Sequence, residues 1–316
     1  MMLFEAAAMC AIGLVVLVLA GDALVKGAVN LGLRVGIPPL IVSLTIVAFG
    51  TSAPELLVSV NAVLAGKPGL ALGNVVGSNI ANVLLVLGLP ALIATMSSGG
   101  NETRRSYYFM MAATVLFIGL ALTGAIGPIE GLILLAALAL ILFDQLREAR
   151  AHRRAAAAAP EPEGADPNMK GWRIALYIVA GLAGLPLGAD LLVDNASVIA
   201  SSMGVSDEVI GLTLVAVGTS LPELATTVMA AIRRQSDVAL GNVIGSNLFN
   251  LLGILGVASL FGTIPVESQM LHFDLWAMLA AALILSPFAL FHRQITKAWG
   301  VALTGAYLLY VMVVLT

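Results

Sequence analysis

The chain repeats itself in a way that leaves few folds open. Slid by 168 residues, GTSAPE at 50–55 falls on GTSLPE at 218–223, and GNVVGSNIAN at 73–82 falls on GNVIGSNLFN at 241–250. Gly13 meets Gly181, Asp22 meets Asp190, Gly36 meets Gly204 and Gly88 meets Gly256, with no gap between these points. The motifs are set in apolar runs of about twenty residues, the length at which a helix crosses the hydrocarbon of a bilayer. Barrel strands would read as shorter alternating segments. Only 10% of the residues are charged and 60% are hydrophobic, whereas a soluble chain is about a quarter charged. The expected class is an all-α integral membrane protein.

Ten transmembrane helices are expected, over 4–30, 39–65, 70–95, 107–124, 129–143, 172–200, 209–232, 238–261, 274–291 and 298–315. The fifth is short for a full crossing. Each repeat then holds five spans. An odd number delivers the chain to the other side, so the second unit enters upside down. The sequence predicts two inverted-topology repeats, 1–143 and 172–316, related by a pseudo-two-fold axis in the membrane plane. Between them, 144–171 is rich in Arg, Ala, Pro and acidic residues and reads as a flexible polar linker. No Lys or Arg precedes the first apolar run, and no cleavage-like boundary follows it by Ala20, so a retained helix is expected rather than a cleaved signal.

Basic residues set the orientation. With the N- and C-termini outside, 13 of the 15 Lys and Arg residues fall in cytoplasmic connections, including Arg34, Arg104, Arg105, Arg233 and Arg234. Only Lys67 falls in an outside loop. The expected location is the inner (plasma) membrane, with 144–171 in the cytoplasm.

The first motif carries the chemistry. Pro54 and Pro222 have no N–H, so the carbonyls of Gly50 and Gly218 lose their helical donors, and a local unwinding is expected in mid-span. Freed backbone at that depth is tolerated where it lines a polar cavity. Thr51, Ser52, Thr219 and Ser220 add hydroxyls, and Glu55 and Glu223 follow one turn after the threonines on the same face. A single copy is compatible with a mere proline kink. Two copies at matched positions point to a site, since an acid in hydrocarbon is costly and marks an ion path. In the second motif Ser78 and Asn82 share one helical face, as do Ser246 and Asn250. Asn74, Asn79, Asn242 and Asn247 lie on other faces and are expected to bond between helices or to freed backbone. The glycines should let this helix approach the broken one closely.

The ligands are all oxygen. No His or Cys converges in the repeats, which disfavours zinc, copper and nickel. Calcium accepts six to eight oxygens in flexible geometry, whereas magnesium demands a rigid octahedron. Two glutamates neutralise one divalent ion, and sodium can compete for the same oxygens. Cys10 cannot form a disulfide within the chain, and His152, His272 and His292 read as solvated or interfacial. No nucleophile–base pair, phosphate loop or cofactor motif appears, so neither enzyme nor cofactor is expected. No basic, aromatic-interleaved patch suggests nucleic acid.

These doubled motifs resemble the paired α-repeats of the cation/calcium exchanger superfamily, specifically its prokaryotic sodium/calcium exchangers, over essentially the whole chain. The resemblance implies ten helices in inverted repeats and alternating access by a sliding pair of helices. It implies calcium at Glu55, Glu223 and the carbonyls of Thr51 and Thr219. Sodium would share the glutamates and use Ser52, Ser78, Ser220, Ser246 and the carbonyls of Ala48 and Ala216. Asn82 and Asn250 would line the centre. Some microbial and potassium-dependent relatives carry Asp where Asn250 stands, and its absence here puts potassium dependence in doubt. The expected function is sodium/calcium antiport, with both ions as substrates, in a lipid bilayer; a monomer suffices for it. Proton/calcium exchange and a cation channel are the alternatives. Asp22, Asp190 and Asp194 match no site motif and read as helix-end or interhelical groups.

Overall fold

The computed structural model describes residues 2–97, 100–155, 166, 168–204 and 216–315. It is helical almost throughout. Among the described residues, seven helices are long and apolar enough to cross a membrane, and an eighth span follows if the bent pair Pro39–Thr51 and Ala53–Leu64, inclined by 43°, is one crossing. The expected fourth span, 107–124, overlaps the helix Gly100–Ala121, which ends three residues earlier and is not among these. Its first turns carry Glu102, Arg104 and Arg105, and the apolar remainder is short. The expected seventh span, 209–232, is described from Ala216 onward; its apolar part is the twelve-residue helix Leu221–Ile232.

Helix ends also differ from the sequence reading. Pro128–Ala155 runs well past 143, where the linker was expected to begin. The stretch REARAHRRA is, apart from His152, built of Arg, Glu and Ala, which are good helix formers, and so it continues the helix at its start. Arg105 of Gly100–Ala121 ion-pairs with Asp144 at 2.7 Å and with Glu148, fastening the two helices at this end. Most of the remaining linker lies outside the described residues.

Burial sorts the helices into centre and rim. In Pro68–Ile93 and Ser236–Phe261, 78% and 83% of the most apolar stretch is buried, against 22% in Leu3–Val35 and Gly171–Ser202 and 11% in Lys297–Val314. The two central spans are those carrying the second motif. Leu3–Val35 and Gly171–Ser202 pack antiparallel on each other. A Cβ on Gly181 would sit 2.9 Å from Leu24 Cα, and one on Gly188 would sit 2.9 Å from the Leu17 backbone nitrogen. Small residues of this kind let membrane helices meet backbone to backbone. This pair has its own apolar cluster, including Leu17, Leu24, Ala28, Leu185 and Ala189, separate from the main core.

Two short strand pairs link the halves. Met96–Ser97 pairs with Gln294–Ile295, and Ala125–Ile126 pairs with Ile264–Pro265, both antiparallel. Under the 168-residue shift each pair maps onto the other to within one residue. Each half therefore gives one strand to each pair.

Candidate cation site

The broken helices position the acids. Pro54 and Pro222 stand in the first turns of Ala53–Leu64 and Leu221–Ile232, where a missing N–H costs nothing. The unwinding is one residue wide. Ser52, at φ −85° and ψ 6°, and Ser220, at φ −87° and ψ 2°, are the only residues between helical segments. The Ser52 amide still reaches the Ala48 carbonyl at 3.0 Å, while the Ser220 amide turns more tightly onto Val217 at 3.1 Å. Each break opens a helix whose first turn carries a glutamate, Glu55 or Glu223. The positive end of a helix dipole suits a carboxylate there.

A matched pair of braces holds these turns. Asn74 donates to the Glu55 carbonyl at 3.4 Å and to the Ser59 hydroxyl at 3.0 Å. Asn242 donates to the Glu223 carbonyl at 3.2 Å and to the Thr227 hydroxyl at 3.1 Å. The expected role of Asn74 and Asn242, bonding between helices, is what is observed. Ser59 and Thr227 were not singled out in the sequence. Their only signal is that they stand one turn after each glutamate at matched positions.

The close helix approach expected from the motif glycines occurs across the halves. A Cβ on Gly241 would lie 2.8 Å from the Leu40 carbonyl, and one on Gly245 would lie 2.6 Å from Ala48 Cβ. Ser43 adds a 2.7 Å hydrogen bond to the Val238 carbonyl. The second half's central helix is thus seated on the first half's broken helix.

That seating brings the halves together at Glu223. Its carboxylate accepts from Ser52 of the first half at 3.0 Å and from Ser246 of the second at 3.5 Å. Glu55 and Glu223 are each about 1% exposed, two buried carboxylates on the broken helices of the two halves. Ser52, Ser78, Asn82, Ser220, Ser246, Asn250, Thr51 and Ala48 are buried as well; Thr219 is half-buried. The Thr51 hydroxyl lies 3.3 Å from both the Ala48 carbonyl and Asn242 Oδ1. The Ala48 carbonyl therefore already accepts from Ser52 and Thr51. Ala216 opens the short helix Ala216–Thr219. Ser52 also lines an apolar cleft of about 120 Å³ with Phe49, Leu138, Phe249 and Val257.

Buried polar atoms are normally paired. Among the described residues, six of the ten exceptions lie on these motif residues: Glu55 Oε2, Glu223 Oε2, Asn82 Oδ1, Ser220 Oγ and both polar side-chain atoms of Asn250 have no hydrogen-bond partner, the other four being on Asn79, Asp144, Gln145 and Thr304. Asn250 lies in a π-helical stretch, Phe249–Ile254, a distortion that recurs at functional sites. These oxygens, with two uncompensated carboxylates, are a donor set for a hard cation. Carboxylate, hydroxyl and amide oxygens suit hard cations, whereas thiolate and imidazole ligands select the softer metals.

Comparison with known proteins agrees with this chemistry. A family profile described as sodium/calcium exchanger protein matches residues 5–146 and 173–316. The inner membrane protein YrbG of Escherichia coli (strain K12) is 35% identical over 96% of this chain and 95% of its own. The sodium/calcium exchanger MaX1 of Methanosarcina acetivorans is 34% identical, covering 96% of each chain. A solved structure of the sodium-calcium exchanger NCX_Mj, soaked with Na+ and Ca2+, superimposes with a TM-score of 0.80 at 30% identity over 98% of both chains.

Proposed function

The chain belongs to the sodium/calcium exchanger protein family, and from that premise we propose that it is a secondary antiporter exchanging Na+ for Ca2+ by alternating access. Calcium binds between Glu55 and Glu223, with the Thr51 and Thr219 carbonyls completing its shell. Sodium takes the same carboxylates together with Ser52, Ser78, Ser220, Ser246 and the carbonyls of Ala48 and Ala216. Asn82 and Asn250 line the centre. The observation that carries this reading is the set of unpartnered oxygens on Glu55, Glu223, Asn82, Asn250 and Ser220, gathered where residues from both halves meet.

The reading extends to the architecture. Ten spans in two inverted repeats follow if Gly100–Ala121 and Leu221–Ile232 cross as well. The antiparallel packing of Leu3–Val35 on Gly171–Ser202 and the exchange of strand pairs under the repeat shift support it. The distribution of Lys and Arg supports outside termini and a cytoplasmic 144–171 connection in the inner membrane. Two fixed carboxylates match one calcium, so exchange for three or more sodium ions is electrogenic.

Radiocalcium uptake into proteoliposomes tests the exchange. Uptake should be rapid into sodium-loaded vesicles in sodium-free, potassium-free buffer, and should vanish when sodium is equal on both sides. Calcium flux that ignores the sodium gradient would make the protein a channel or a proton-coupled exchanger instead.

A further inference from the structure

One residue outside the proposed ligand set governs how a ligand within it faces. A side-chain amide presents one acceptor oxygen and one donor nitrogen, and only the oxygen can bind a cation. Asn82 is about 1% exposed. Its Nδ2 donates to Asn247 Oδ1 at 3.1 Å, while its own Oδ1 has no hydrogen-bond partner. Asn247, about 3% exposed, is itself oriented. Its Nδ2 donates to the Asn79 carbonyl at 3.4 Å and faces the Met110 sulfur at 3.8 Å. With its nitrogen committed to Asn79 and Met110, Asn247 must offer its oxygen to Asn82.

The repeat makes the arrangement informative. Asn79 is the counterpart of Asn247, and Asn250 that of Asn82. Asn79 donates to the Val75 carbonyl of its own helix at 2.8 Å, and neither Asn250 nor Asn79 Oδ1 takes part in a matching bond. One central amide is therefore fixed and the other is not.

We propose that Asn247 is a positioning residue that turns the Asn82 amide oxygen toward the transported cation. This deepens the antiport reading and rests on it. Partners that orient a metal ligand typically contribute about ten- to a hundredfold to affinity. Asn247→Leu removes the acceptor, so the Asn82 amide can present its nitrogen to the ion. Half-saturating calcium for sodium-driven uptake should rise about tenfold, with maximal rate changed far less.

The decisive comparison repeats Asn247→Leu in an Asn82→Asp background. A carboxylate offers oxygen whichever way it turns, so there the shift should fall to about twofold or less. Equal shifts in both backgrounds would mean that Asn247 merely packs the core, and would overturn the proposal. So would an unchanged half-saturation in Asn247→Leu alone. If the Leu variant does not accumulate as folded protein, Asn247→Ala makes the same comparison, with the same outcomes deciding. Loss of sodium-driven uptake in wild type is a different failure. It would remove the antiport reading, and this proposal with it.

Discussion

Replacing Glu223 with glutamine changes charge and little else. The amide oxygen can still accept from Ser52, which lies 3.0 Å from the carboxylate, and the side chain keeps its shape. What disappears is one of two negative charges in a site about 1% exposed, where solvent screens little. Removing one partner from a buried charge set costs about 3–5 kcal/mol. At 1.4 kcal/mol per decade, that is roughly a hundredfold to a few thousandfold in calcium affinity. The sign reverses without cations. Two buried carboxylates then repel each other, and losing one relieves both repulsion and desolvation. Glu223→Gln should therefore melt at a higher temperature than wild type in sodium- and calcium-free buffer, yet gain almost nothing from added calcium. Wild type should gain about 2.7 kcal/mol at a hundred times its dissociation constant. Radiocalcium uptake and a thermal melt with and without calcium read both effects. Half-saturating calcium within about threefold of wild type, less than 1 kcal/mol by the same conversion, would refute the assignment of Glu223 as a ligand.

Asn250→Asp adds a third carboxylate, so exchange should persist but become pH-sensitive or potassium-responsive; unchanged profiles would take Asn250 out of the ion path. Asp22 of the first helix pairs with Lys26 one turn on and with Arg233 at the end of the Glu223 helix, so Asp22→Asn and Arg233→Gln should each cost about 0.5–1 kcal/mol and their double mutant little more. Additive losses in a thermal melt would show that Asp22 and Arg233 do not interact. A cysteine placed at Gly164 in a Cys10→Ser background should resist impermeant thiol reagents in intact cells, and ready labelling would reverse the proposed orientation.

Much of this was legible because a repeat records both the element and its use. Two prolines at matched positions announced the breaks at Ser52 and Ser220, and the acids behind them stand buried at matched places. The width of the break was not legible. A proline in a first helical turn needs no donor, so the chain resumes its helix at once. Nor could the sequence say that Gly241 and Gly245 pack on Leu40–Ala48 rather than on their own half, since a repeat is silent about which copy a surface meets. Ser59 and Thr227 look like ordinary helix residues until Asn74 and Asn242 reach them. The helix past residue 143 was masked by composition: its Arg and Ala read as linker, but Arg105 pairs with Asp144 and Glu148 and holds the helix to its neighbour. Asp22 carried no motif, and only the fold brings Arg233 beside it.

The central claim is that the two repeats build one shared calcium site rather than one site each. Equilibrium radiocalcium binding to purified protein in sodium-free buffer counts the ions directly. One calcium per chain is predicted at saturation, displaced by sodium and lost when either Glu55 or Glu223 becomes glutamine. Two calcium ions per chain, with one surviving each single substitution, would contradict it.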